Sequence, residues 1–257
     1  MRTAIKRVGK HVPFANALYQ ACRTICGVPW YLRDFLRFRR LSASNGARFN
    51  LSWADRLPCL TDKTSTTNYD RHYLLHTAWA ARKIVELRPE QHIDISSSLF
   101  FSAIVSAFVP IKFYDYRPAE LALSNLSSHH ADLYKLPFAD QSILSLSCMH
   151  VVEHVGLGRY GDPLDPDGDI KAIIELQRVL APGGQLMFVT PVGRPRIQFN
   201  AHRIYGFRQV LNSFASLRLE EFSLIPDSPC DGGLIINASE AMADAQEYGC
   251  GCFLFKR

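Results

Sequence analysis

Residues 92–115 read HIDISSSLFFSAIVSAFVPIKFYD, and this stretch decides the fold. An apolar run carries Asp94 near its end and passes through Ser96, Ser97 and Ser98 into a helical pattern from Leu99; a second apolar run then ends on Asp115. Strand, tight turn, helix and strand in that order open a parallel sheet, whose ligands sit beyond the carboxyl ends of its strands. Asp115 follows Asp94 by 21 residues, near the spacing of about 20 at which an acid accepts hydrogen bonds from ribose hydroxyls.

The same alternation continues outward. Residues 111–116, 142–149 and 185–190 read as further strands, and 99–108 and 170–180 as helices. The second helix has Asp167 or Asp169 as its cap, Ile170, Ile173, Ile174 and Leu180 on one side, and Pro182-Gly183-Gly184 as its stop. Ahead of the first strand, Leu74, Ala78, Ala81 and Val85 predict a helix over 69–87, ended by Pro89. The tail adds a helix over 206–214 and strands over 217–225 and 252–256. These patterns predict an α/β fold: a Rossmann-like, doubly wound, mostly parallel sheet over residues 68–257.

The 257 residues are 47% hydrophobic and 21% charged, which excludes disordered and collagen-like classes. A chain this long buries a core without disulfides. Its longest apolar run, 99–111, is too short to span a bilayer. Seven cysteines with no C-x-x-C pair argue against a disulfide framework and a zinc knuckle, so no metal is expected and a reducing cytoplasm fits.

The formal charge of +5 is uneven. Residues 1–40 hold nine Lys or Arg against the single Asp34. Trp30, Tyr31, Phe35, Leu36 and Phe38 alternate there with Arg33, Arg37, Arg39 and Arg40, a composition suited either to an anionic membrane surface or to a solvated arm. No nucleic-acid motif accompanies it. Residues 1–67 therefore read as a basic, helical N-terminal extension followed, over 41–67, by an irregular linker rich in Ser, Thr, Asn and Asp.

Chemistry gathers after the strands. Asp132, in A-D-L-Y-K-L-P-F at 131–138, can receive an adenine amino group. His150, Glu153 and His154 follow the 142–149 strand; they spell H-x-x-E-H, the inverted zincin pattern, but without the long helix and third ligand that a zincin needs. Residues 156–169 carry four glycines and four aspartates and predict a mobile loop, in which Asp165-Pro166-Asp167 also matches the D-x-D clamp of metal-dependent glycosyltransferases. Arg71, His72, His76, Asn200, His202 and Arg203 are further candidates for the rim.

The stretches H-I-D-I-S-S-S, F-Y-D-Y, A-D-L-Y-K-L-P-F, C-M-H-V-V-E-H-V and R-V-L-A-P-G-G-Q-L resemble, in order, the class I S-adenosylmethionine-dependent methyltransferase superfamily. Within it, E-H-V-G-L-G-R-Y-G-D-P-L-D-P-D-G and F-N-A-H-R are similar to an uncharacterised bacterial methyltransferase-like family linked to surface polysaccharides. The resemblance implies S-adenosylmethionine as cofactor. It would be held by Asp94, Ser96 and Ser98 at its amino-acid end, Asp115 at ribose, and Asp132 and Leu133 at adenine, with Met149 beside it. It also implies a sugar or glycan hydroxyl as acceptor, His154 as first choice of base and His150 as second, with Glu153 between them. Ser96 and Ser98 depart from the superfamily's usual glycines. A glycosyltransferase built on Asp165 and Asp167, or a non-catalytic assembly protein, are the other readings. The localisation expected is cytoplasmic, either free or attached at the inner membrane face.

Overall fold

A computed structural model describes residues 13–44, 46 and 48–257, so Arg2, Lys6, Arg7 and Lys10 of the basic arm lie outside the described residues. The chain divides after Asn68 into two compact units.

In the first unit, helix α1 (Pro13–Ser44) spans 32 residues of the extension. The segment after it is irregular but packs on this helix rather than linking freely. Trp53 meets Phe35 edge-on at 5.0 Å, and Lys63 lies 4.9 Å over the Trp30 ring. Gly27 makes the close approach possible, since a Cβ there would sit 2.8 Å from the Leu60 Cβ.

The second unit is an eight-stranded sheet in the order β3-β2-β1-β4-β5-β10-β8-β9. Its strands are β1 (His92–Ile95), β2 (Ile111–Asp115), β3 (Leu126–His130), β4 (Ile143–Met149), β5 (Leu180–Val192), β8 (Arg218–Ile225), β9 (Ile235–Ile236) and β10 (Gly249–Lys256). From β3 to β5 the pairings are parallel, while β10 runs antiparallel to both β5 and β8. A separate hairpin joins β6 (Arg196–Gln198) to β7 (His202–Ile204). Helices α2 (Arg71–Leu87), α3 (Leu99–Val105), α4 (Gly168–Val179), α5 (Phe207–Ser213) and α6 (Glu240–Asp244) complete the unit. Buried side chains form two clusters, one around Leu146, Leu176, Phe188 and Phe253 and one around Trp79, Phe101, Met187 and Val189. Among the described residues, no helix is long and apolar enough to cross a membrane.

Helices α2 to α5 form where the sequence predicts them, while α6 is not predicted, and two of the predicted helices present different faces. In α2, capped by Asp70 accepting from the Tyr73 N–H at 3.1 Å, the buried residues are His76, Trp79, Ala80 and Ile84, whereas Leu74 and Val85 are more than half exposed. Trp79 decides the rotation: its ring is buried and its Nε1 donates to Glu221 Oε1 at 2.9 Å, a partner on β8. In α4, Ala172, Ile173, Leu176 and Val179 are buried while Ile170 and Ile174 face out. Pro182-Gly183-Gly184 does not simply end that helix; it forms a bulge inside β5, with Ile143 opposite Leu180 and Ser145 opposite Gln185.

Arg178 at the end of α4 ties this helix to the segment between β3 and β4. It donates to Glu175, Asp140, the Phe138 carbonyl and the Leu136 carbonyl over 2.7–3.1 Å. Lysine cannot reproduce that planar fork. Arg178→Lys is expected to lower unfolding stability by about 1–2 kcal/mol, read as a lower guanidinium midpoint at unchanged slope; an unchanged midpoint would show the fork to be dispensable.

Candidate functional site

Strand order reverses between β1 and β4, and a crevice opens beyond their carboxyl ends. The cavity there, about 310 Å³, is lined by Ser96, Asp115, Asp132, Leu133, His150 and His154 among others. Six of the ten residues assigned to the cofactor or to catalysis therefore converge on one opening. Asp94, Ser98, Met149 and Glu153 do not line it.

Ser96 turns the chain from β1 toward α3 with φ 54°, the left-handed conformation that glycine adopts most easily. Its N–H donates to the Tyr114 carbonyl at 2.7 Å and its hydroxyl reaches the same oxygen at 3.2 Å. The serine thus keeps the backbone course of a glycine turn while its side chain is tied back to β2. Asp115 accepts from the Arg117 N–H at 2.7 Å and Asp132 from the Tyr134 N–H at 2.8 Å, two short turns that each engage one carboxylate oxygen.

Asp94 lies below this opening, fully buried. Ser102 donates to its Oδ2 at 2.7 Å and Ser147 to its Oδ1 at 2.5 Å. With that hydroxyl proton committed, Ser147 accepts from His92 Nε2 at 2.8 Å, which leaves His92 Nδ1 to accept from Ser145 at 2.7 Å. Burial pushes Asp94 up to about 6, against the opposing serine hydrogen bonds, and pushes His92 down to about 3. The serine bonds let Asp94 join β1, β4 and α3. Met149 is buried and its N–H donates to Ser97 Oγ at 3.0 Å; Ser98 precedes α3 without a side-chain cap.

The turn after β4 places the histidines. His150 has φ 57° and both its nitrogens are engaged, Nδ1 with Glu153 Oε1 at 2.8 Å and Nε2 with Cys250 Sγ at 3.3 Å. Glu153 is 1% exposed, its Oε2 has no hydrogen-bond partner, and burial pushes it up to about 7. His154 contacts the Ala201 carbonyl through Nδ1 at 2.5 Å. A carbonyl only accepts, so Nδ1 carries the proton and Nε2, 3.9 Å from Glu153 Oε1, is the basic atom. Burial lowers the pKa of His154 although Glu153 opposes the shift; Arg159, which also donates to the Ala201 carbonyl, adds to the lowering.

The loop over 156–169 is held by internal hydrogen bonds. Asp162 accepts from the Gly156, Gly158 and Tyr160 N–H groups, and Asp165 pairs with Lys171 at 2.6 Å and accepts from the Asp167 N–H. These internal bonds engage Asp162 and Asp165, and with Asp165 one half of the D-x-D pair. Gly156, at φ 81°, is required here because a Cβ would lie 2.1 Å from the Asp165 carbonyl oxygen. Arg203 does not reach the rim; buried, it donates to the Val155 and Pro166 carbonyls and clamps the loop from β7. Arg71 binds the Pro226 and Gly232 carbonyls instead. Sequence reasoning missed Cys250, Tyr73 and Tyr248 beside His150, His72 and His202, because β10 and α2 meet β4 only in the folded chain.

A family profile described as "Caenorhabditis protein of unknown function, DUF268" matches residues 120–218. No curated protein matches by sequence. Among solved structures, a Galdieria sulphuraria protein described as a sarcosine dimethylglycine methyltransferase aligns at TM-score 0.50 and 16% identity, over 71% of this chain and 85% of that one. N-methyltransferase NodS from Bradyrhizobium japonicum, solved with S-adenosyl-L-homocysteine, aligns at 0.49 and 15%, over 71% and 85%. YcgJ from Bacillus subtilis aligns at 0.49 and 13%, over 71% and 97%. Strand order, the crevice at the reversal point and the likeness to the Galdieria protein together establish residues 69–257 as a class I methyltransferase fold.

Proposed function

We propose that this protein is an S-adenosylmethionine-dependent methyltransferase acting on a hydroxyl of a sugar or surface-polysaccharide precursor. The observation that carries the reading is the convergence of Ser96, Asp115, Asp132 and the basic Nε2 of His154 around one cavity. Its volume falls at the lower end of the range for small-molecule sites. The left-handed Ser96 turn supports the fit, because its hydroxyl is tied back to the Tyr114 carbonyl on β2.

When bound, S-adenosylmethionine would supply an electrophilic methyl group. The chain's residues would do the rest. Asp115 would accept from ribose hydroxyls through the carboxylate oxygen not held by Arg117, and Asp132 with Leu133 would face the adenine. His154 would take the acceptor's proton at Nε2, and Glu153, 3.9 Å away, would stabilise the imidazolium. His150 is the weaker base, since Glu153 and Cys250 occupy both of its nitrogens.

Isothermal titration with S-adenosylmethionine and S-adenosylhomocysteine tests the reading. Micromolar binding is expected; binding only of a nucleotide sugar with manganese would favour the glycosyltransferase, and no binding would favour an assembly role. Comparing methylated surface sugars by mass spectrometry in cells with and without the protein would identify the acceptor.

The basic helix supports attachment to an anionic membrane, the cytoplasmic face being the one proposed. Ile25, Leu36 and Phe38 are 70%, 47% and 60% exposed, beside exposed Arg37, Arg39 and Arg40. Reversing those three arginines to glutamate is expected to abolish co-sedimentation with vesicles containing phosphatidylserine, given about 1 kcal/mol per basic residue near such a surface. Retained co-sedimentation would refute the attachment.

A further inference from the structure

Behind the crevice, three side chains from distant parts of the sequence bring metal-ligating atoms together. His72 comes from the first turn of α2, His150 from the turn after β4 and Cys250 from β10, and their ligand atoms all lie within 4.8 Å of one another. The His72 and His150 rings are parallel, 4° apart in orientation at 6.0 Å, and His150 Nε2 stands 3.3 Å from Cys250 Sγ. Two ligands of one tetrahedral zinc, at its usual bond lengths, are separated by roughly 3.3–3.7 Å. The His150 and Cys250 pair is already at such a distance, and the half-buried His72 needs only a small side-chain shift.

Two independent observations point to a cation there. Glu153 is buried beside Thr190 and, among the described residues, the basic side chains within 4 Å of it are histidines, not Lys or Arg. A buried carboxylate without a cation is costly. Its Oε1 is bonded to His150 Nδ1, the arrangement in which a carboxylate orients a metal-bound imidazole. Next to it, fully buried His76 stands 5.0 Å from His150, ring to ring, and its Nε2 has no partner. Its Nδ1 is held by the His72 carbonyl at 2.7 Å.

We propose that His72, His150 and Cys250 form a binding site for a zinc-class divalent cation, with Glu153 orienting His150. The ligand set is mixed imidazole and thiolate, which suits zinc or cobalt rather than magnesium or calcium. Coordination would leave the Cys250 thiol deprotonated, its proton released to solvent. His150 also lines the crevice, so the cation would sit at the boundary of the cavity. The H-x-x-E-H pattern is then half used: His150 is a ligand, Glu153 supports it, and His154 faces the Ala201 carbonyl. The proposal does not depend on which cofactor or acceptor the crevice takes.

The test uses the full chain with exposed Cys22, Cys26, Cys59 and Cys230 replaced by serine, so that surface thiols cannot bind metal. After reduction, loading with zinc and desalting, about one equivalent per chain is expected by mass spectrometry of the metal. Cobalt loading should produce a thiolate-to-metal charge-transfer absorption. Cys250→Ser should abolish that band, and His72→Ala, at a half-exposed position, should lower zinc retention at least tenfold with the circular dichroism spectrum unchanged. Zinc retention unaffected by both substitutions, or cobalt bound without the charge-transfer band, would overturn the proposal, as would a parent chain that retains no metal.

Discussion

His154→Ala is expected to lower kcat by about 10²–10⁴-fold while leaving cofactor affinity unchanged. That range corresponds to about 3–5 kcal/mol of lost transition-state stabilisation. The expectation follows from the tautomer: the Ala201 carbonyl holds the Nδ1 proton, which leaves the lone pair on Nε2 beside Glu153 and the ring on the cavity wall. Alanine removes the base but none of the groups proposed to hold the cofactor, so the loss should fall on turnover. Burial and Arg159 keep the imidazole neutral near pH 7, and Glu153, Tyr160 and His202 are other titratable groups that face it. A base with a lowered pKa is competent above that value, so the His154 acid limb of the kcat profile should lie below pH 6.5, and because Glu153, pushed up to about 7, must ionise to stabilise the imidazolium, the rate should rise further through pH 7 before levelling off. The measurement is transfer of labelled methyl from S-adenosylmethionine into an envelope polysaccharide fraction. A His154→Ala enzyme of undiminished turnover would remove this residue from the chemistry.

The second large effect concerns Asp115. Asp115→Ala is expected to weaken binding of S-adenosylhomocysteine by about 10–100-fold, or about 1.4–2.7 kcal/mol, the range for hydrogen bonds to a charged acceptor. Asp115→Asn separates recognition from folding, because its amide oxygen can still accept from the Arg117 N–H and keep the turn. The asparagine variant should unfold at the same temperature as the parent yet bind more weakly, since one acceptor has become a donor. Calorimetric titration of both variants reads the effect. Parent-like affinity in both would place the ribose elsewhere in the crevice.

Strands and helices were legible where apolar periodicity was strong, as at His92–Ile95 and Gly249–Lys256, the latter expected three residues shorter. Strand β3 was not: Leu126–His130 is an edge strand whose outer residues are Ser and His, so its pairing with β2 leaves little apolar signal. The faces of α2 and α4 were misread because each helix carries apolar residues on more than one side. The choice falls to partners far along the chain, such as Glu221 for Trp79. Of the carboxylates, Asp115 stands at the crevice as its spacing from Asp94 implied and Asp132 stands there too, whereas Asp94 is buried and enclosed by serines.

From its order of apolar runs, turns and acids, the chain alone determined a doubly wound sheet with an opening at the ends of its strands, because periodicity and turn chemistry act between residues close in sequence. Tertiary structure decided which side chains reach that opening and in what protonation state. Whether a histidine faces a carbonyl, a carboxylate or a thiol depends on a neighbour as much as 100 positions away, as with His150 and Cys250. Burial in that company, absent from any local pattern, sets which of its nitrogens are left to do chemistry.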